Sequence, residues 1–230
     1  MQIKKFQLLK EIIYTILTNV IGGYMKVNGF WIGELGEIQY ECINSWEKNG
    51  YEFKLWNEKD YHEIVDSDEY FTYQHGHSKG TPIAFSNLFR SELLYQRGGL
   101  YVDLDMLCLK PYEFNRRFVF SEQIDSGWDY HVATCIIYSE SSGEQIFKDW
   151  ANRIRKIGEN STHGDLGPNL ITPLVEQYGY EDYVLPKKYF CSVDWQSYED
   201  VFTYDGDSYG IHLFTSLWNE EDYKNINKLK

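Results

Sequence analysis

The sequence predicts an α/β fold: a mixed, mostly parallel, Rossmann-like sheet flanked by helices. Short apolar segments of strand character alternate with segments of helical period through the first half of the chain, and strand–helix–strand–helix order implies parallel pairing through right-handed crossovers. The chain has 230 residues and a 43% apolar fraction, enough for one domain with a substantial core. No internal repeat, low-complexity stretch or linker divides it. The expected organisation is an amino-terminal helix over residues 1–24 and a single α/β domain over 25–230.

Within residues 4–21, Leu8, Leu9, Ile12, Ile13, Ile16, Leu17, Val20 and Ile21 recur at spacings of one and three, which is the stripe of an amphipathic helix. Polar residues interrupt it, it is short for a membrane span, and no signal-peptide cleavage site comes after it. Packing on the domain is preferred. The alternatives are peripheral contact with the inner leaflet, helped by Lys4, Lys5 and Lys10, and a biological start at Met25.

Lys26 to Ile32 (KVNGFWI) reads as the first buried strand and is followed by Gly33. Ile38, Cys42, Ile43 and Trp46 mark a helix ending near Asn49-Gly50. Tyr51 to Trp56 alternates as a strand, and Asn57 is placed to cap a further helix. Thr81-Pro82 has the signature of a helix start, with Thr81 as N-cap and Pro82 at the first helical position. Ala84, Phe85, Leu88, Phe89, Leu93 and Tyr95 give that helix a broad apolar face, and Gly98-Gly99 stops it. Leu100 to Leu107 comes next as an apolar strand. Later runs at 118–120 and 132–138 read as strands, Ile146, Trp150 and Ile154 as a helix, and Gly167-Pro168 as another helix start. Tyr209 to Trp218 (YGIHLFTSLW) closes the pattern as a strand carrying His212.

The chemistry is concentrated in Leu100–Leu107 (LYVDLDML). On a strand, residues i and i+2 share a face, so Asp103 and Asp105 would point one way and Val102, Leu104 and Met106 the other. Two adjacent carboxylates in an apolar segment repel and cost free energy to desolvate. A divalent cation relieves both problems, and hard oxygen ligands suit Mg²⁺ or Mn²⁺. The bland alternative is a strand end or turn whose aspartates are merely solvated.

Ser86-x-x-x-Arg90 on a helix, then Gly98-Gly99, then Tyr101 and Asp103-x-Asp105 closely resembles the core of glycosyltransferase family 32. The same core is similar to that of the clostridial glucosylating toxins. The resemblance runs over about residues 26–218. Its supporting motifs are Trp31-Ile32-Gly33, the Cys42…Trp46 and Tyr51…Trp56-Asn57 segments, Gly167-Pro168, and His212…Ser216-Leu217-Trp218. It implies a GT-A-type domain in which a metal-dependent enzyme transfers a sugar, with retention of configuration, from a nucleoside-diphosphate donor to an acceptor hydroxyl. A UDP-sugar is favoured as donor, a glycan or lipid-linked molecule as acceptor, and bacterial surface or capsular polysaccharide synthesis as setting.

By the same resemblance Asp105 binds Mn²⁺ or Mg²⁺ directly, while Asp103 contacts the ribose and reaches the metal. Arg90 holds the donor sugar or diphosphate. Trp31 stacks on the base, Ser86, Asn87 and Tyr101 line the donor site, and Ser216 and Trp218 close over the diphosphate. His212 is the candidate third metal ligand. Asp165 and Asn169, near the Gly-Pro helix start, are candidates for sugar or acceptor contacts. Two departures stand out. Asn87 replaces the family's usual Asp, and Leu213 and Leu217 stand where the family more often has a second His and a Ser directly before Trp. That spacing leaves the third ligand open between His212 and Ser216.

Twenty-two basic against thirty-five acidic residues give a net charge of −13, which argues against nucleic-acid binding. An anionic donor would need local neutralisation, which a bound cation supplies. Cys42, Cys108, Cys135 and Cys191 are far apart and form no Cys-x-x-Cys, so they read as free thiols in a cytoplasmic protein. A haloacid-dehalogenase-type phosphatase is disfavoured because its motif comes early and carries Thr or Val where this chain has Leu107. A catalytically weak sugar-nucleotide or glycan-binding protein on the same fold is the alternative reading.

Overall fold

A computed structural model describes residues 25–69, 81–125, 128–157, 166–226 and 229. The amphipathic segment 4–21 and Asp165 lie outside the described residues. In chain order the elements are β1 (Lys26–Phe30), α1 (Glu37–Lys48), β2 (Glu52–Trp56), α2 (Thr81–Arg97), β3 (Gly99–Val102) and β4 (Met106–Cys108). Then come β5 (Phe118–Asp125), β6 (Trp128–Ser139), α3 (Gln145–Ile157), α4 (Pro168–Tyr178), β7 (Val184–Leu185), β8 (Gly210–His212) and α5 (Glu220–Lys224).

Six strands form one mixed sheet in the order β2-β1-β3-β6-β5-β7. The pairs β1–β2, β1–β3 and β5–β7 are parallel, while β3–β6 and β5–β6 are antiparallel. This is the expected α/β architecture of a GT-A-type domain, with the antiparallel contribution coming from β6, which runs against both of its neighbours, β3 and β5.

Side-chain alternation sorts the core to the two sides of this sheet. Tyr101, Phe118, Phe120 and Ile137 join one cluster with Phe85, Leu88 and Phe89 of α2 and Phe147 and Trp150 of α3. Leu100, Val102, Val119 and Ile136 join another with Trp46 of α1, Phe114 and Phe190. On α3 the buried positions Ile146, Phe147, Trp150, Ala151 and Ile154 follow helical spacing. A third cluster gathers Ile38, Cys42, Val193, Val201, Ile211, Leu213 and Trp218 beneath the carboxyl-terminal segment.

The helix expected after Thr81-Pro82 is present, beginning one residue earlier with Thr81 itself inside it. Gly98 ends it with φ +64°, and a Cβ there would lie 2.8 Å from the Ser141 carbonyl carbon, so both backbone and space demand glycine.

Three expectations are corrected. Asn57 leads to only a single 3₁₀ turn at Tyr61–Glu63, because its side chain accepts from Lys59 N–H at 2.8 Å in a local turn. The strand drawn from Leu100 to Leu107 is two strands: β3 stops at Val102, residues 103–105 turn, and β4 starts a separate two-stranded sheet with β8. The segment Tyr209–Trp218 is strand only over Gly210–His212; Phe214 is left-handed and Thr215–Leu217 forms a 3₁₀ turn. Among the described residues no helix is long and apolar enough to cross a membrane.

Candidate functional site

The site begins where β3 leaves the main sheet. Asp103 N–H still donates to Cys135 C=O of β6 at 2.8 Å, and Met106 N–H closes the turn on Asp103 C=O at 3.0 Å. The two aspartates are therefore in a turn at a strand end and not on one face of a continuous strand. Leu104 between them is buried, packing 3.1 Å from the position a Cβ on Gly29 of β1 would take. The apolar residue anchors the turn, and the flanking carboxylates are left to converge.

Helix α1 holds β4 in place directly after the turn. Trp46 Nε1 donates to Met106 C=O at 2.9 Å, Ser45 Oγ accepts from Cys108 N–H at 2.8 Å, and Asn49 Nδ2 donates to Cys108 C=O at 3.1 Å. So fixed, β4 pairs antiparallel with β8 in a register that sets His212 opposite Met106, next to Asp105. His212 Nε2 lies 3.1 Å from Asp105 Oδ1. Thr215 donates its N–H (3.0 Å) and its hydroxyl (3.2 Å) to Asp105 Oδ2.

Arg90 of α2 approaches from the other side. Its side chain is almost fully buried and pairs with Asp103. The guanidinium also donates to Asn87 Oδ1 at 3.1 Å and to Ser86 Oγ at 3.5 Å, and its carbon lies 4.6 Å from the Tyr101 ring centre. Tyr101 OH is 3.5 Å from Ser86 Oγ. Asn87 Nδ2 is committed to Ile83 C=O at 3.0 Å. The Gly167 turn that opens α4 packs on this group, since a Cβ there would lie 3.4 Å from both Asn87 Oδ1 and Thr134 Oγ1.

Asp103, Asp105 and His212 each offer a ligand atom, and these atoms lie within 4.8 Å of one another in a partly buried setting. Two carboxylates and an imidazole make a donor set able to coordinate a divalent cation, with two hard oxygen donors and one borderline nitrogen. His212 Nδ1 is buried without a hydrogen-bond partner. Burial works against the charged form of His212, yet Asp105 and Asp103 overcome it and raise its pKa to about 9. For Asp105, burial is likewise outweighed, by His212 and the Thr215 donors, and its pKa falls below the usual carboxylate value. Asp103 goes the other way: burial raises its pKa, Arg90 opposes this, and the neighbouring Asp105 adds to it. The turn thus holds two unlike carboxylates.

The remaining sequence candidates divide. Trp31 lies just past the carboxyl end of β1, and β1 and β3 are parallel neighbours, so Trp31 and Asp103 emerge from the same end of the sheet. Trp31 Nε1 donates to Glu34 C=O at 3.1 Å, and the side chain is partly exposed. Ser216 is exposed on the turn after Thr215. Trp218 is buried against Phe202 and Tyr223, with its indole N–H donated to Leu213 C=O at 2.8 Å. Asn169 is exposed in the first turn of α4. Sequence reasoning missed Thr215, Phe214 and Thr134. Only the left-handed backbone of Phe214 is unusual, and nothing in a Leu-Phe-Thr string announces it.

The model of the family described as "Glycosyltransferase sugar-binding region containing DXD motif" matches residues 36–125, which contain Arg90, Asp103 and Asp105. No curated protein matches the chain by sequence. Among solved structures, a protein titled "PaToxG Glycosyltransferase" is similar at 14% identity and a TM-score of 0.50, over 75% of this chain and 76% of that one. A glycosyltransferase involved in glycosylating the major capsid of PBCV-1 aligns at 10% identity and a TM-score of 0.49, over 90% of this chain and all of that one. The apo-form glycosyltransferase GlyE of Streptococcus pneumoniae TIGR4 aligns at 12% identity and a TM-score of 0.47, this chain covering 86% of itself and 56% of that structure. The chain therefore has a GT-A-type fold, a cluster able to coordinate a divalent cation, and distant similarity to glycosyltransferases.

Proposed function

We propose that the chain is a metal-dependent glycosyltransferase of the family 32 type. It moves a sugar, with retention, from a nucleoside-diphosphate donor, preferably a UDP-sugar, to an acceptor hydroxyl on a glycan or lipid-linked molecule. The setting we infer is cytoplasmic synthesis of a bacterial surface or capsular polysaccharide, with residues 1–24 as a helix against the domain or the inner membrane face and residues 25–230 as the transferase domain. The observation that carries the reading is the convergence of Asp103, Asp105 and His212 within 4.8 Å beside the buried Arg90.

In this reading Asp105, Asp103 and His212 hold Mn²⁺ or Mg²⁺. The cation supplies charge stabilisation to the leaving diphosphate. Charge balance supports this division of labour. With His212 protonated, two carboxylates face two cationic side chains and the cluster is neutral. Exchanging that proton for a divalent cation leaves one positive charge, which suits a diphosphate in a chain of net charge −13. Arg90 fixes Asp103 and presents its remaining donor capacity toward the sugar or diphosphate, a task for a planar fork. Ser86, Asn87 and Tyr101 set the position of that guanidinium. Trp31 offers a flat face for the base. We assign Ser216, exposed on the turn after Thr215, to the diphosphate, and Trp218 to holding that turn through its indole bond to Leu213 C=O.

Calorimetric titration with UDP- and GDP-sugars, with and without Mn²⁺, followed by an assay of nucleotide release, tests this reading. Metal-dependent binding and hydrolysis of at least one donor is expected. Binding without turnover would favour the sugar-nucleotide-binding alternative, and neither binding nor turnover would overturn the assignment.

A further inference from the structure

We propose that residues 213–218 form a clamp that orients the Asp105 carboxylate, with Thr215 as the positioning residue and Trp218 as its latch. The proposal deepens the reading of Asp103, Asp105 and His212 as a metal centre and rests on it.

The two oxygens of Asp105 are not equivalent. Oδ2 accepts two hydrogen bonds from Thr215, through the N–H at 3.0 Å and the hydroxyl at 3.2 Å. Among the described residues Oδ1 has one partner, His212 Nε2 at 3.1 Å. Two donors occupy the lone pairs of Oδ2 and fix the carboxylate plane. Oδ1 is left as the oxygen available to a cation, held in one orientation before any ligand arrives.

The backbone is arranged around this contact. Leu213 N–H donates to Asp105 C=O at 2.9 Å, extending the β4–β8 pairing by one bond. Phe214 then takes φ 54° and ψ 44°, a left-handed conformation that is costly for a residue with a Cβ. That reversal brings the next residue, Thr215, back to the side chain of the same aspartate. Four contacts hold the reversal: the Phe214 ring centre lies 4.1 Å from that of His212, Leu217 N–H donates to Phe214 C=O at 2.9 Å, Trp218 N–H donates to Thr215 C=O at 3.2 Å, and the Trp218 indole donates to Leu213 C=O at 2.8 Å. Leu213 is thus pinned through both its N–H and its C=O. Backbone strain that persists under so many constraints is of the kind found where a site is held in place.

The test is Mn²⁺ uptake, read from the electron paramagnetic resonance of the free ion with and without UDP, on the full chain. Thr215→Val keeps the shape of the side chain and the backbone N–H but removes the hydroxyl, and Thr215→Ser restores it. We expect Thr215→Val to weaken Mn²⁺ binding by about tenfold, the loss typical of one hydrogen bond to a charged group, and Thr215→Ser to return it close to wild type. Trp218→Phe, which keeps a buried ring but frees the Leu213 carbonyl, should weaken binding in the same direction. Circular dichroism of each variant confirms folding. Wild-type uptake with Thr215→Val equal to or tighter than wild type, or with Thr215→Ser as weak as Thr215→Val, overturns the clamp and leaves the metal centre standing. Wild-type protein that takes up no Mn²⁺ under either condition overturns both.

Discussion

His212 Nε2 sits 3.1 Å from Asp105 Oδ1 across 107 residues of chain, joined only because β8 pairs with β4. Burial opposes the imidazolium, but Asp105 and Asp103 raise its pKa from 6.5 to about 9. A base whose pKa is higher in the folded chain stabilises the fold below its unfolded value, and that contribution is lost as pH rises through 9. The depressed pKa of Asp105 sets the acid side, its contribution being present above 3.8 and lost on acidification. We expect the metal-free protein to lose more melting temperature between about pH 6 and pH 9.5 than His212→Gln does. Equal losses in the two proteins would contradict the pairing.

Arg90 should matter for stability before it matters for substrate. Its guanidinium is buried and meets Asp103, Asn87 and Ser86. Arg90→Ala would leave Asp103 partly buried beside Asp105 without its hydrogen-bonded counter-charge, with only the charge of His212 shared between the two carboxylates. Breaking a buried pair from one side typically costs about 3–5 kcal/mol. Asp103 keeps some solvent contact, so urea denaturation should find a loss near the lower end of that range. A loss within error of zero would mean that Arg90 does not hold the turn.

Gly98→Ala tests the junction that delivers β3 to the site. The residue would adopt φ +64°, and its Cβ would press on the Ser141 backbone. The left-handed conformation alone costs about 1–2 kcal/mol, and the clash adds to it because backbone yields less readily than a side-chain tip. Thermal unfolding should show at least that loss, and a neutral substitution would contradict the packing of the α2–β3 turn on residues 141–142.

All four thiols are buried, including Cys135 and Cys191, whose sulfurs are 3.6 Å apart. Burial pushes the Cys42 thiol up and the Cys108 thiol up to about 12, whereas the Cys135 hydrogen bond lowers Cys191; what the four share is restricted access of a reagent to a buried sulfur. A thiol reagent should label the reduced native protein slowly and all four cysteines after denaturation. Rapid native labelling of any one would contradict the packing around it.

Much of the frame was readable from local pattern. Gly98-Gly99 after a broad apolar face marked the end of α2, and the first strands were legible from alternation. The break at Asp103 was hidden because Val102, Leu104 and Met106 are all buried, so a period-two pattern runs unbroken through a turn that leaves one sheet and enters another. The pairing of Asp103 and Asp105 with His212 came through family resemblance, since no local signal links residues so far apart. Thr215 was invisible for the same reason. Carboxylate repulsion, the natural inference from Asp-x-Asp alone, also misjudges Asp105: His212 and Thr215 favour its charged form. Replacing Asp105 should therefore lower metal-free stability rather than raise it.

The central claim is that Asp105 binds a cation needed for sugar transfer, and the most direct measurement compares Mn²⁺-dependent nucleotide release from a verified donor by wild type and Asp105→Asn. The substitution keeps side-chain size and removes the charge of a hard ligand, and circular dichroism shows whether the variant is folded. A metal gives several kcal/mol to a charged transition state, so folded Asp105→Asn should lose at least about a hundredfold in rate together with the response to Mn²⁺. Near-normal, metal-dependent turnover by that variant would contradict the assignment.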